Sequence, residues 1–185
     1  MWRVVAICAL SLFAVCRPAD AAAPDGFANV PWGASQAQVA QAMAQQGFGA
    51  TNEQLGALND GSVSDCYMGT LAGAAGRLCF QFLSGTFFEA SFMVQGSDGG
   101  GAENAAWSSF FSIIQSKYGA ATKTWGPSDN LHAEWTGLQA AGSSDAIEIG
   151  MALGTSEAPY ASTFGVTYKN QSLQQRLAGQ NRNGL

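Results

Sequence analysis

One stretch of the chain, Ala102–Gly119, repeats its large apolar residues at the spacing of a helix. These residues are Trp107, Phe110, Phe111, Ile114 and Tyr118. They form one stripe along a helix, and mainly serine and glutamine fill the other positions. Gly119 can adopt the left-handed backbone that ends a helix. Because so wide an apolar face needs another layer against it, we expect Trp107, Phe110, Phe111 and Ile114 to be buried against a sheet.

Alternating segments supply the predicted strands of that sheet. They lie at 65–69, 77–83, 87–94, 131–136, 147–153 and 164–168, and 122–125 is a further candidate for a short strand. Apolar residues alternate with polar or small ones in most of them, which is typical of strands with one buried face. In the segment at 131–136, this places His132 and Glu134 on the outer face. The sequence therefore predicts an α+β fold with an antiparallel sheet of about six strands and two main helices on one face. A tandem helix-plus-strands repeat also fits this order.

The hairpin between two of these strands has two alternative registers. A two-residue turn at Ser84-Gly85 pairs Phe82 with Phe87 and Phe80 with Glu89, which puts a carboxylate on the core face. A three-residue loop, Ser84-Gly85-Thr86, pairs Phe82 with Phe88 and Phe80 with Ala90 instead. Since a slip of one residue moves every side chain to the other face, the apolar pattern favours the longer loop, with Phe87 facing outward.

The first helix has clear start and stop signals. Ser35 followed by Gln38 is a capping box, and Gly47 ends the helix after about Gln46. Trp32, just before the cap, is interpreted as a buried residue at the helix start, and a ligand site at this tryptophan is the alternative.

The first residues have the order of a signal peptide. Arg3 precedes the apolar run Val4–Val15, and small residues follow a polar break. Since the run is too short to span a bilayer, we predict a signal peptide over residues 1–21 with cleavage before Ala22. We therefore expect a periplasmic or secreted protein, with no stable membrane insertion of the mature chain.

The remainder, residues 22–185, is expected to be one α+β domain with a frayed tail at Gly179–Leu185. Lipidation at Cys16 is the alternative to cleavage before Ala22, but Val15 is large for the position that precedes a lipidated cysteine.

Composition excludes one class of partner. Only 11% of the 185 residues are charged and the formal net charge is −5, with no cluster of lysine or arginine. Neutralising several phosphates requires such a cluster, so we expect no nucleic-acid partner.

Two cysteines, Cys66 and Cys79, remain after the predicted cleavage, and cysteines in an oxidising compartment usually pair. Folding the strands around them as a hairpin places Cys66 opposite Cys79 and Met68 opposite Arg77. Directly opposed strand residues can be close enough for a disulfide, so the sequence predicts the Cys66–Cys79 bond.

Three features together carry a resemblance to known proteins. They are Phe27-Ala-Asn-Val-Pro-Trp-Gly-Ala-Ser-x-x-x-Val39, an aromatic hairpin, and Lys117-Tyr118-Gly119 followed by a tryptophan-bearing strand and Val-x-Tyr168. The chain resembles small exported bacterial proteins of unassigned function with a Trp-Gly-x-Ser helix start. Its helix start is distantly similar to those of β-lactamase inhibitor protein and of the SmpA/OmlA-type assembly lipoproteins. The resemblance implies a helix-plus-sheet module that binds another protein.

Sequence motifs for catalysis are sparse. His132 stands without a His-x-x-x-His or Cys-x-x-Cys pattern, and no Gly-x-Ser-x-Gly elbow occurs, so we expect no metal and no cofactor. We expect a non-catalytic protein that binds an unknown envelope protein through its sheet. The alternative is a hydrolase with an unrecognised active site. Tyr67, Phe87 and Met93 remain as apolar residues on the expected outer face, so they are the predicted binding residues.

Overall fold

The computed structural model describes residues 24–51, 61–95, 101–139, 143–155 and 162–183. The predicted signal peptide and Cys16 lie outside these residues. The helices are α1 (Gln36–Gln45), α2 (Gly101–Tyr118) and α3 (Gln171–Asn183). The strands are β1 (Gly26–Phe27), β2 (Val30–Pro31), β3 (Gly49–Ala50), β4 (Val63–Leu71), β5 (Ala74–Leu83), β6 (Thr86–Gln95), β7 (Lys123–Trp125), β8 (Leu131–Gln139), β9 (Ala146–Thr155) and β10 (Ser162–Asn170).

Eight of the described strands form one antiparallel sheet in the order β3-β4-β5-β6-β10-β9-β8-β7, and β1 pairs with β2 in a small second sheet. The predicted α+β class is confirmed. The expected six strands and two helices are wrong, because the described residues contain three helices and this larger sheet. The short edge strands β3 and β7, of two and three residues, account for part of the difference.

The order of elements is the same in the two halves of the sheet. Helix α1 precedes β3 to β6, and α2 precedes β7 to β10. The last strands of the two halves, β6 and β10, pair at the centre, for example at Phe92 and Val166. Both helices contribute to one apolar core with the same face of the sheet. The two halves therefore share a single core.

Helix α1 has the predicted cap at each end. The Ser35 hydroxyl accepts the Gln38 N–H, and the Gln38 side chain accepts the Ser35 N–H at 2.8 Å. At the other end Gly47 has a φ of 78°, and the Phe48 N–H donates to the Met43 carbonyl at 3.0 Å. This is a Schellman ending, and it turns Phe48 back into the core.

Helix α2 is confirmed as the element that covers the centre of the sheet. The Phe110 ring lies 5.5 Å from that of Phe92 and 5.3 Å from that of Phe164. Phe110 and Ile114 are buried, as predicted, whereas Trp107 and Phe111 are half-buried at the margin of the same core. The apolar stripe is therefore centred closer to Phe110 and Ile114 than the sequence indicated.

The hairpin joining β5 to β6 corrects one prediction. Its turn has two residues, Ser84 and Gly85, with φ values of 52° and 74°, and Phe82 pairs with Phe87. A register shift between Gln81 and Phe82 then restores the pairing of Phe80 with Ala90. A bulge in β6 thus accommodates the one residue by which the two registers differ. The predicted three-residue loop is therefore wrong, but the core-facing pair Phe80–Ala90 that favoured it is present.

Helix α3 lies on the face of the sheet opposite α1 and α2, so the helices are not all on one face. Its Leu177 is buried with Leu83 and Phe88, a pair that faces away from the main core. The Leu173 N–H donates to the Asn170 side chain at 2.8 Å, which caps the helix start. The helix continues to Asn183, beyond the short segment 171–178 expected from the sequence.

The predicted disulfide is confirmed. Cys66 is bonded to Cys79 with Cα atoms 4.1 Å apart, and the register of β4 with β5 pairs Met68 with Arg77 as expected. Strand β4 extends further than predicted, and a two-residue turn at Ala72 and Gly73 joins it to β5. Among the described residues, no helix is long and apolar enough to cross a membrane.

Candidate functional site

The candidate site is a groove on the open face, by which we mean the side of the large sheet opposite α1 and α2. The groove crosses strands β6, β10, β9 and β8 and has a volume of about 480 Å³. The strand registers place its outward residues in cross-strand rows. One row is Met93, Gly165, Ala152, His132 and Trp125; the next is Ser91, Thr167, Gly150, Glu134 and Lys123.

The floor of the groove consists of residues with little or no side chain. Gly150, Ala152 and Gly165 occupy outward positions on β9 and β10, near the centre of the sheet. A Cβ added at Gly150 would have no atom within 4 Å, and one at Gly165 would meet only the Met93 Cγ at 4.0 Å. The groove therefore exists because side chains are missing from two adjacent strands.

One wall of the groove is aromatic. Trp125 and His132 are directly opposite each other on β7 and β8, and their rings stack with centroids 5.0 Å apart and an angle of 8° between the planes. The Lys123 Nζ lies 4.7 Å from the centre of the Trp125 ring, and the His132 Nε2 is 3.1 Å from the Asn130 Oδ1. Trp125 is 43% exposed, which makes it an exposed aromatic residue at the rim.

Glutamates supply the charge of the groove. Glu89 accepts a hydrogen bond from the Gln81 amide at 2.9 Å and lies 3.4 Å from the Lys169 Nζ. Glu148 accepts a hydrogen bond from the Gln171 amide at the start of α3. Glu134 is directly opposite Gly150, so its carboxylate borders the empty floor.

A second depression of about 290 Å³ continues the groove toward the ends of β9 and β10. It shares Met93, Ala152 and Gly165 with the first and adds Asn130 and Gly154, among others. A Cβ at Gly154 would lie 2.9 Å from the Asn130 Oδ1, so glycine makes room for that side chain. The two depressions together form an elongated site.

Helix α3 is fixed at the end of the open face by an ion pair. Arg176 donates two hydrogen bonds to Asp145, at 2.6 and 3.0 Å, and the Asn170 amide donates a third at 3.0 Å. The hydrogen bonds from Arg176 and Asn170 lower the pKa of the Asp145 carboxyl to about 2. These contacts hold the start of α3, and with it Gln171, beside Glu148.

The structure separates the predicted binding residues. Met93 is half-buried on the open face and lines the groove. Tyr67 and Phe87 are 5% and 0% exposed in the main core, so the expectation that they face outward is wrong. Burial raises the pKa of the Tyr67 hydroxyl, and the nearby charge of Asp65 raises it further. The error at Phe87 comes from the predicted loop length. The two-residue turn pairs Phe87 with Phe82 and directs its ring into the core, and the bulge in β6 follows it.

His132 and Glu134 lie on the open face, as the alternation in β8 predicted. The two neighbouring tryptophans differ: Trp135 is buried and donates to the Gly119 carbonyl at 2.9 Å, whereas Trp125 is exposed. Sequence reasoning missed the empty floor. The sequence does contain a signal, since Gly150, Ala152 and Gly154 occupy every outward position between Glu148 and the end of β9. The pattern within β9 does not show, however, that Gly165 of β10 lies beside these residues.

The side chains with functional chemistry in the groove are carboxylates and aromatic rings. In the described part of the chain, no group of three or more His, Cys, Asp or Glu side chains could hold a metal ion. No hydrogen bond among those residues joins His132 to a serine or a carboxylate. The fold and site define an α+β protein with a two-half antiparallel sheet and a grooved open face. No family model, curated protein or solved structure matches the chain.

Proposed function

We propose that this is a non-catalytic exported protein that binds another protein of the cell envelope through the open face of its sheet. The observation that carries the proposal is the groove itself. Glycine and alanine at the outward positions of two adjacent strands leave the floor accessible beside an exposed Trp125. Depressions with exposed aromatic residues and a polar rim are typical of protein contact surfaces.

The two faces of the sheet differ in a way that supports this assignment. The face under α1 and α2 is filled by packed aromatic rings such as Phe92, Phe110 and Phe164, so it serves as the core. The open face carries half-buried polar residues such as Thr167 and Glu134 around the groove. A partner could therefore bind to the open face without disturbing the core.

The disulfide supports the proposed compartment. Cys66 and Cys79 are bonded and almost fully buried, and such bonds persist in oxidising compartments such as the bacterial periplasm. The signal-peptide pattern of residues 1–21 leads to the same compartment. Export is therefore part of the proposal.

A photo-crosslinking experiment in the native cell envelope tests the proposal. A photoreactive aromatic amino acid replaces Trp125, which is 43% exposed at the rim of the groove, so the floor stays open; in a matched variant it replaces Ile113, which is 48% exposed on α2. We expect a discrete adduct from position 125 that excess unlabelled protein competes away, and none from position 113. An adduct from position 113 alone, or no competed adduct from position 125, would contradict binding through the open face.

A further inference from the structure

The lining of the groove is acidic. Glu89, Glu134 and Glu148 contribute to it, and no lysine or arginine is among the described residues that line it. The ammonium of Lys169, next to the groove, is paired with Glu89. Lys123 lies directly opposite Glu134 on β7, but its ammonium lies over the Trp125 ring, 4.7 Å from the ring centre. The remaining carboxylates, Glu134 and Glu148, have no ion pair with a described residue. The groove therefore favours a partner group that carries positive charge.

The register places these two carboxylates around the empty floor. Glu134 is directly opposite Gly150, and Glu148 precedes Gly150 by two residues on the same face of β9. Such diagonal neighbours have Cβ atoms about 7 Å apart, and Gly150 places no side chain between them. A planar cation lying over Gly150 could donate hydrogen bonds to both carboxylates.

The next row of the groove suits the aliphatic part of a long side chain. It is bordered by Met93 on one side and by the His132 ring on the other, with Ala152 and Gly165 as the floor between them. Trp125 stacks against His132 and supports this wall. An arginine side chain has methylene groups to lie on such a surface and a guanidinium with five donors in a fixed fork.

We propose that the groove binds an arginine side chain from an extended segment of the partner protein. Its methylene groups lie over Ala152 and Gly165, and its guanidinium lies over Gly150 between Glu134 and Glu148. This inference rests on the proposed function, since it names the chemistry of the partner that the open face binds. Arginine is favoured over lysine because a planar fork can reach two separated carboxylates, whereas an ammonium is a point charge.

The test uses fluorescence anisotropy with a labelled eight-residue peptide that alternates threonine and arginine. Three matched peptides replace the arginines with citrulline, which is isosteric and neutral, with lysine, or with glutamate. We expect saturable binding of the arginine peptide, about tenfold weaker binding of the lysine peptide, and none of the other two. No saturable binding of the arginine peptide at concentrations on the order of 1 mM, or equal binding of the citrulline or lysine peptide, would overturn the inference.

Charge variants of the protein locate the site. We expect Glu134→Gln and Glu148→Gln each to weaken binding of the arginine peptide by about tenfold, because each removes one charge-assisted contact. Asp25→Asn changes the net charge equally at an exposed position beside β1 and should have little effect. Equal effects of all three variants would show nonspecific charge attraction and overturn the inference.

A steric variant blocks the floor without changing charge. Gly150→Leu places a side chain in open space, so the protein should keep its melting temperature and lose peptide binding. Gly49→Leu in the edge strand β3 is the matched control, because a Cβ there also meets no atom within 4 Å. A Gly150→Leu variant that is folded and still binds the peptide would overturn the inference.

Failure of the arginine inference can be told apart from failure of the proposed function. If position 125 crosslinks a competed partner while the peptides show no preference for arginine, the open face binds a partner of other chemistry and only the arginine inference fails. If position 125 yields no competed adduct, the proposed function itself fails.

Discussion

The ring of Phe87 stacks on the indole of Trp32, with centroids 4.9 Å apart. The same contact is reinforced by the backbone, since the Gly33 N–H donates to the Phe87 carbonyl and the Phe87 N–H donates to the Ala34 carbonyl, both at 2.9 Å. The Trp32 Nε1 also donates to the Pro24 carbonyl at 2.7 Å. The Trp-Gly-x-Ser helix start thus attaches α1 to the hairpin of β5 and β6.

Because of this contact, we expect Phe87 to contribute strongly to the free energy of unfolding. Phe87→Ala should lower the free energy of unfolding by about 3–5 kcal/mol, because it empties a fully buried site between Trp32 and Phe80. Urea denaturation followed by circular dichroism measures the change. Met93→Ala, at a half-buried position on the open face, is the control and should cost less. Equal costs would contradict the orientations of the two side chains.

Two adjacent isoleucines test the orientation of α2. Ile114 is 0% exposed and Ile113 is 48% exposed. Ile114→Ala should cost about 2–5 kcal/mol of unfolding free energy, whereas Ile113→Ala should change it by no more than about 0.5 kcal/mol. Chemical denaturation of both variants gives the comparison. A larger cost at Ile113 would mean that the helix is rotated from its described position.

Two strand glycines should respond in opposite ways to the same substitution. A Cβ at Gly76 would lie 2.4 Å from the Met93 carbonyl oxygen and 2.7 Å from the Phe92 ring, so Gly76→Ala should lower the melting temperature by several degrees. Gly150→Ala meets open space and should leave stability unchanged or raise it by about 0.4–1 kcal/mol. Thermal unfolding of the pair is the measurement, and a destabilised Gly150→Ala would show that the groove floor is already filled.

The disulfide should make a measurable contribution to stability. The cysteines are 13 residues apart in sequence, and closing a loop of this size contributes about 3 kcal/mol by the chain-entropy estimate. The double variant Cys66→Ala/Cys79→Ala should therefore unfold at a lower urea concentration than the oxidised protein. Wild-type protein that is unfolded without reductant should show no free thiol from this pair, and two free thiols would contradict the bond.

The Asp145 ion pair predicts a specific dependence of stability on pH. The folded pKa of about 2 lies below the ordinary value of 3.8, so the stabilisation is fully present above about pH 4. It is lost as the pH falls toward 2, because the unfolded chain takes up the proton first. Asp145→Asn should reduce the loss of stability between pH 4 and pH 2, measured by urea denaturation at each pH. An unchanged pH profile would contradict the role of this pair, and Asp129→Asn, at an exposed turn, is the matched control.

Local patterns were enough to predict several parts of the protein. Ser35, Gln38 and Gly47 specify both ends of α1 because caps depend on residues within one turn of the helix. The pairing of Cys66 with Cys79 followed from a hairpin between neighbouring strands, whose register is short-range. The outward positions of His132 and Glu134 followed from alternation within one strand.

The hairpin shows where such reasoning is incomplete. Alternation assumes one continuous register, but the bulge between Gln81 and Phe82 changes the register in the middle of the pair. The actual structure combines the short turn at Ser84 and Gly85 with one pair expected of the long loop, Phe80 with Ala90. Phe87 and Phe88 consequently face the opposite sides of the sheet from those predicted. Phe87 packs against Trp32 in the main core, and Phe88 packs against α3 on the other face.

The sequence by itself determined the helices α1 and α2, most of the strands and the disulfide, because each depends on caps, periodicity or a local hairpin. Only the tertiary structure decided that β6 pairs with β10, that α3 packs on the opposite face, and that Gly150 and Gly165 come together as the floor of a groove. Those features join residues that are far apart in the chain, and their free energy comes from packing between elements. A pattern read along one segment carries no information about that packing.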